Sequence, residues 1–193
     1  MWILIAALIA GPAATARKAS PQPATASHPA AEAPVQQLSP EELRAQIDAF
    51  LGVIDVPIPV SQWRALGPQA APILEQIIGD PQAFPSRRAK AVDGLVAAAP
   101  ERAALLTPQL AQSEAQPVVV RVAALQGAAR VLPSPKLVAA LKPVLETAKQ
   151  PGLRRSAAEL LARHGRSAGC RAVRAQAERE ERGAFDRALE RCE

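Results

Sequence analysis

The residues PSRRAKAVDGLVA at 85–97 decide the fold of this chain, because their pattern returns twice further along. It returns as PVVVRVAALQGAARV at 117–131 and as PGLRRSAAELLARH at 151–164. Each copy begins at a proline, passes through an arginine and continues into small apolar residues. The chain is therefore built from internal repeats, and each repeat contains at least one helix-forming segment.

The arginines of the three copies measure the period of the repeat. Aligning Arg88, Arg121 and Arg155 gives offsets of 33 and 34 residues. A period between about 20 and 50 residues is typical of solenoids, in which each unit buries its apolar face against its neighbours. The spacing therefore predicts a row of stacked helical units.

Composition and helix-breaking residues favour an all-α fold. The chain of 193 residues is rich in alanine and leucine, which are strong helix formers, and only 3% of it is aromatic. Ser39 followed by Pro40 is typical of a capped helix start. Prolines and glycines then divide the chain into helix pairs and one terminal helix, predicted at about 40–80, 85–113, 117–148, 151–181 and 184–192.

Two kinds of segment resemble HEAT-type repeats. VVRVAALQGAARV (119–131) and LRRSAAELLARHG (153–165) resemble the first helix of such a repeat, and WRALGPQAAPILEQII (63–78) resembles its second half. The resemblance implies a short right-handed α-solenoid of about four HEAT-like helix pairs with a C-terminal capping helix. It also implies a scaffold that binds through an extended concave surface, here expected on the second helices.

The amino-terminal residues predict an exported protein. MWILIAALIAGPAATA (1–16) contains an apolar run too short to span a bilayer, and small residues at 14 and 16 predict a signal peptide cleaved after Ala16. No basic residue precedes the run, so a buried first helix and a retained anchor stay open as alternatives. Residues 17–38 are rich in proline and alanine and predict a disordered linker, followed by a HEAT-like domain at 39–193. The expected location is periplasmic or secreted.

Five arginines are candidate binding residues. Since a guanidinium matches carboxylate and phosphate geometry, these side chains on one face would bind acidic groups. The alternative is structural, with each stem lying on a neighbouring helix and each guanidinium bonded to carbonyl or carboxylate groups between repeats. The candidates are Arg87, Arg88, Arg121, Arg154 and Arg155.

The two cysteines of the chain predict a disulfide. In an oxidising compartment an even number of cysteines favours pairing. If Gly183 turns the chain back, Cys170 and Cys192 meet at the same end of two antiparallel helices. A continuous helix over 168–192 would instead hold the cysteines about 33 Å apart, at roughly 1.5 Å per residue. Both possibilities stay open on the sequence alone.

The remaining motifs favour binding over catalysis. His28 and His164 are the only histidines in the sequence. The sequence contains no zinc motif, no nucleophile motif and no glycine-rich phosphate loop. No enzymatic activity and no cofactor are expected. The interpretation is a monomeric exported adaptor that binds an unidentified protein of the cell envelope.

Two alternatives use the same scaffold differently. The net charge of +5 lies in the later part of the chain, so a basic face that binds a polyanion or nucleic acid is one of them. Nucleic acid is not expected, because export separates the protein from the genome and few aromatic side chains are available for stacking. The other is an accessory scaffold of an enzyme, by resemblance to lyase-like HEAT proteins.

Overall fold

A computed structural model describes residues 38–53, 56–180 and 183–193, and within them the chain is all-helical. The predicted signal peptide at 1–16 and the predicted linker, apart from Leu38, lie outside the described residues. The described part contains ten α-helices, one short 3-10 helix and no strand. None of its helices combines the length and the apolar character needed to cross a bilayer.

The helices fall within the ranges that the prolines and glycines predicted. Four of the five predicted ranges divide into two or more elements, and the terminal helix is shorter than expected. The bounds are α1 Pro40–Gly52, α2 Val60–Leu66, a 3-10 turn Pro68–Ala70, α3 Ala71–Gly79, α4 Pro85–Ala98, α5 Pro100–Gln112, α6 Val118–Val131, α7 Ser134–Thr147, α8 Pro151–His164, α9 Arg166–Ala177 and α10 Asp186–Glu190.

Local sequence explains where these helices begin. Ser39 caps α1 through a capping box, in which its hydroxyl accepts from the Glu42 N–H and the Glu42 carboxylate accepts from the Ser39 N–H at 2.9 Å. Prolines occupy the first turns of α4, α5 and α8, where a missing N–H costs no intrahelical bond. Pro108 and Pro143 lie inside α5 and α7, as the sequence indicated.

Equivalent helices of successive repeats pack side by side. Helix α4 packs against α6 and α6 against α8, while α5 packs against α7 and α7 against α9. Helix α2 packs against α4 and has no comparable contact with α6. Their shared core consists mostly of leucine, isoleucine, valine and alanine, including the fully buried Leu95, Leu125 and Leu161.

Two glycines allow close approach between these helices. A Cβ added at Gly94 in α4 would lie 2.9 Å from the Trp63 ring, and one at Gly127 in α6 would lie 2.8 Å from Val96. Such distances are below ordinary carbon contacts, so only glycine fits without a shift of the neighbour. Gly94 and Gly127 are one repeat apart and serve the same purpose.

The carboxyl end confirms the predicted disulfide. Cys170 of α9 and Cys192 are joined, with their Cα atoms 5.5 Å apart. The chain reverses through Gly183, whose φ of 90° lies in the left-handed region that favours glycine. The alternative of one continuous helix over 168–192 is therefore wrong. Helix α10 packs against α8 and α9 and buries Phe185 and Ala188 at this end.

Candidate functional site

Two of the predicted binding arginines lie in the interior. Arg88 and Arg121 are only 6% and 2% exposed. The Nε of Arg88 donates to the carbonyl of Ile78 at 2.8 Å, and the Nε of Arg121 donates to that of Ala111 at 3.0 Å. Both bonds satisfy a carbonyl in the last turn of the preceding helix, where no intrahelical donor exists.

Each of these arginines also bonds a glutamine further along the chain. Arg88 donates to the side chain of Gln116, and Arg121 donates to that of Gln150 at 3.2 Å. Both glutamines directly precede the proline that opens the next repeat. The Gln-Pro pairs at 116–117 and 150–151 are the sequence signal from which these bonds could have been predicted.

The third member of the series is Arg154, so the alignment on Arg155 is wrong. Arg154 donates to the carbonyl of Ala148 at 2.8 Å and pairs with Glu180, which takes the place of the glutamines. Aligning on Arg154 makes both offsets 33 residues. Hydrogen bonds from Arg154 and from Gln176 lower the pKa of Glu180 below its ordinary value of 4.5.

The two remaining arginines lie in different surroundings. Arg87 forms an ion pair with Asp48 of α1 at the surface, with 31% of its side chain exposed. Arg155 is exposed on α8 and lines a shallow cavity of about 560 Å³ beside Gly183 and Arg187. The structure does not bring the five candidate arginines together on one face.

A larger groove lies along the first helices of the repeats. Its volume is about 640 Å³, and α4, α6 and α8 form its floor. Residues from the end of α1, from the connection that follows it and from the start of α2 form one wall, which is apolar. The side chains of this wall are Phe50, Val53, Val56, Pro57, Ile58, Val60 and Trp63. The second helices α5, α7 and α9, on which the binding surface was expected, do not line this groove.

Two aromatic residues fix the base of the apolar wall. The rings of Phe50 and Trp63 meet edge to face, with centroids 5.0 Å apart and planes inclined by 80°. Trp63 rests on Gly94, so the glycine determines how deeply the indole sits. Val56 and Val60 extend the wall into solvent, with 65% and 47% of their surfaces exposed.

Polar side chains of the groove floor come from equivalent positions of the repeat. Asp93, Gln126 and Glu159 succeed one another at 33-residue intervals on α4, α6 and α8. Arg130 and Arg163 form a second series, also 33 residues apart. The floor of the groove therefore follows the repeat, and each of its helices contributes the same two positions.

Lys90 attaches the apolar wall to the floor. Its ammonium group donates to the carbonyl of Val53, the residue that ends α1. The side chain thereby bridges α4 to a segment that is not repeated.

The described residues contain no group of three histidine, cysteine or carboxylate side chains placed to hold a metal ion. His164 is exposed at the end of α8, on the rim of the groove. His28 lies outside the described residues. The chain matches no protein-family model, and it has no match among curated proteins or solved structures.

Proposed function

We propose that this protein is an exported, non-catalytic adaptor that binds another protein in the groove along α4, α6 and α8. We further propose that its repeats form a short α-solenoid of the HEAT type. The 33-residue period and the side-by-side packing of equivalent helices support this arrangement. The signal-like sequence at 1–16 supports export.

The observation that carries the proposal is the combination of exposed apolar and polar lining in one groove. A volume of about 640 Å³ lies within the range of binding clefts, roughly 300–1,000 Å³. Apolar surface on Val56 and Val60 is exposed beside the charged floor of the groove. Exposed apolar side chains rimmed by polar ones are typical of protein interaction sites.

The buried arginines favour this function over a polyanion binder. Arg88 and Arg121 bond carbonyl and glutamine groups in the interior, so their guanidinium groups are committed to the fold. The two further basic groups of the groove that have partners, Lys90 and Arg130, bond Val53 and Asp93. The basic surface that a polyanion needs is smaller than the sequence suggested.

The proposal is tested by crosslinking in cells with a carboxyl-terminal tag, followed by mass spectrometry of separate envelope and cytoplasmic fractions. Two matched variants decide whether the groove is the site. Val56→Asp places a charge on the groove wall, and Leu105→Asp places one on α5, outside the groove. Both residues are 65% exposed in the native protein, so neither change buries the new charge.

We expect one envelope protein to be recovered with the native chain and with Leu105→Asp, and to be lost with Val56→Asp. Equal recovery with both variants would mean that the groove is not the binding surface. Recovery of the tagged chain only from the cytoplasm would contradict export.

A further inference from the structure

Arg130 and Arg163 occupy equivalent positions in the groove, yet only one of them has an acidic partner. Arg130 of α6 pairs with Asp93 of α4, the helix before it. One repeat later, the position of Asp93 is occupied by Gln126. Among the described residues no carboxylate lies within ion-pair distance of Arg163. Arg163 therefore lies in the groove without the carboxylate that pairs with its equivalent, Arg130.

The surroundings of Arg163 select for a particular kind of anion. Glu159 lies one turn before Arg163 on α8 and is half-buried in the same groove. Its negative charge disfavours a ligand that carries many negative charges, such as a polyphosphate. A single carboxylate matches Arg163 through paired N–H···O bonds and can be placed away from Glu159.

The apolar wall lies across the floor from this basic position. Helices α4 and α6 separate the wall from α8, and neighbouring helices are typically about 8–10 Å apart. An extended peptide advances about 3.3 Å per residue, so about five or six residues cross from the wall to α8. An extended segment is therefore long enough to contact both features at once.

From the missing carboxylate and the apolar wall we infer that the groove binds an extended, apolar segment of a partner protein, which carries one carboxylate that pairs with Arg163. The apolar side chains of the segment pack against the wall formed around Phe50 and Trp63. This inference rests on the proposed adaptor function and adds to it the chemistry of the bound segment.

A random-peptide display library tests the inference without knowledge of the partner. The library is selected in parallel on the native protein, on Arg163→Glu and on Arg155→Glu. Arg155 is the matched control because it is exposed on the same helix but does not line this groove. Circular dichroism verifies the folding of each variant, and Arg163→Gln replaces the charge reversal if that variant does not fold.

The native protein and Arg155→Glu should select apolar peptides that carry one aspartate or glutamate. Arg163→Glu should select peptides with lysine or arginine instead and bind the acidic peptides at least roughly tenfold more weakly, as expected for the loss of a charged hydrogen bond. Binding should also change the fluorescence of Trp63, measured in a Trp2→Phe background that leaves it the single tryptophan.

If the native protein and Arg163→Glu selected peptides of the same charge, the inference would be overturned and the adaptor function would be left intact. Failure to select any peptide would also overturn it, since the groove would then not bind extended segments. Envelope crosslinking with Val56→Asp and Leu105→Asp still decides the adaptor function in either case. A second copy of this chain as the occupant would be detected as a dimer in sedimentation and would contradict the inference.

Discussion

Arg121 donates a hydrogen bond of 3.2 Å to the side chain of Gln150, which joins one repeat to the residue that precedes the next. The same guanidinium bonds the carbonyl of Ala111 behind it. Removing this side chain would leave a buried carbonyl without a donor and a cavity between helices. We expect Arg121→Ala to lower the free energy of unfolding by about 2–4 kcal/mol.

Urea unfolding followed by circular dichroism measures this loss. Arg155→Ala is the control, because the native side chain is exposed and its removal should change stability by no more than about 0.5 kcal/mol. Equal stability of the two variants would show that the buried bonds of Arg121 contribute nothing beyond helix propensity.

Gly94 determines the position of Trp63, so enlarging it should disturb the groove. An alanine Cβ at position 94 would lie 2.9 Å from the ring. We expect Gly94→Ala to destabilise the protein by about 1–3 kcal/mol through overpacking, less the gain of up to about 1 kcal/mol from helix propensity. The emission maximum of Trp63 should shift to longer wavelength as the indole becomes more exposed.

Gly152→Ala is the control for this change, because nothing lies within 4 Å of a Cβ at that position of α8. It should leave the fluorescence unchanged and slightly raise stability. A native spectrum and native stability for Gly94→Ala would show that the α2–α4 contact relaxes freely.

The disulfide should make the stability of the carboxyl end sensitive to reductant. It closes a loop between residues 22 apart in sequence, which corresponds to about 3 kcal/mol in loop-entropy terms. Replacing both Cys170 and Cys192 by serine should increase amide exchange over residues 183–193 before it affects α4 or α6. Reductant should reproduce this pattern in the native protein and have no effect on the double variant. Unchanged exchange after reduction would contradict the prediction.

The stability of the protein should depend on pH because of Glu180 near the carboxyl end. Its pKa is lowered by the hydrogen bonds from Arg154 and Gln176, so the native state favours the ionised carboxylate. The resulting stability is fully present above the ordinary value of 4.5 and is lost as the pH falls through the lowered pKa of the native state.

Urea unfolding at several pH values between about 3 and 6 tests this dependence. Glu180→Gln removes the titrating group and should flatten the curve, while Glu178→Gln, at an exposed neighbouring position, should retain the native slope. The prediction fails if Glu180→Gln and the native protein lose stability in parallel.

Helix boundaries could be predicted from sequence because prolines and glycines act locally. The paired cysteines could be predicted because their number and the turn residue Gly183 indicated the same geometry. The register of the arginines was not predicted correctly, since Arg154 and Arg155 are adjacent and both follow a proline closely. The position of Ala148 and Glu180 in space identifies Arg154 as the residue that points inward.

The groove could not be predicted from the sequence for a different reason. Its floor follows the repeat, but its wall is formed by residues at the end of α1, in the connection after it and at the start of α2, which are not repeated. A repeat pattern predicts which residues are equivalent, and it is silent about a segment that occurs once. The contact between Lys90 and Val53, which attaches this segment to α4, joins residues 37 positions apart.

The disulfide fixes the position of α10 over the ends of α8 and α9. With the cysteines joined, Phe185 and Ala188 stay over the end of α8 and α9. In a chain whose thiols are reduced, a helix of only five residues would hold the same cover by apolar contacts and by the hydrogen bond that Arg174 donates to the carbonyl of Cys192 at 2.7 Å. Oxidation of the two thiols therefore determines how firmly this cover is held.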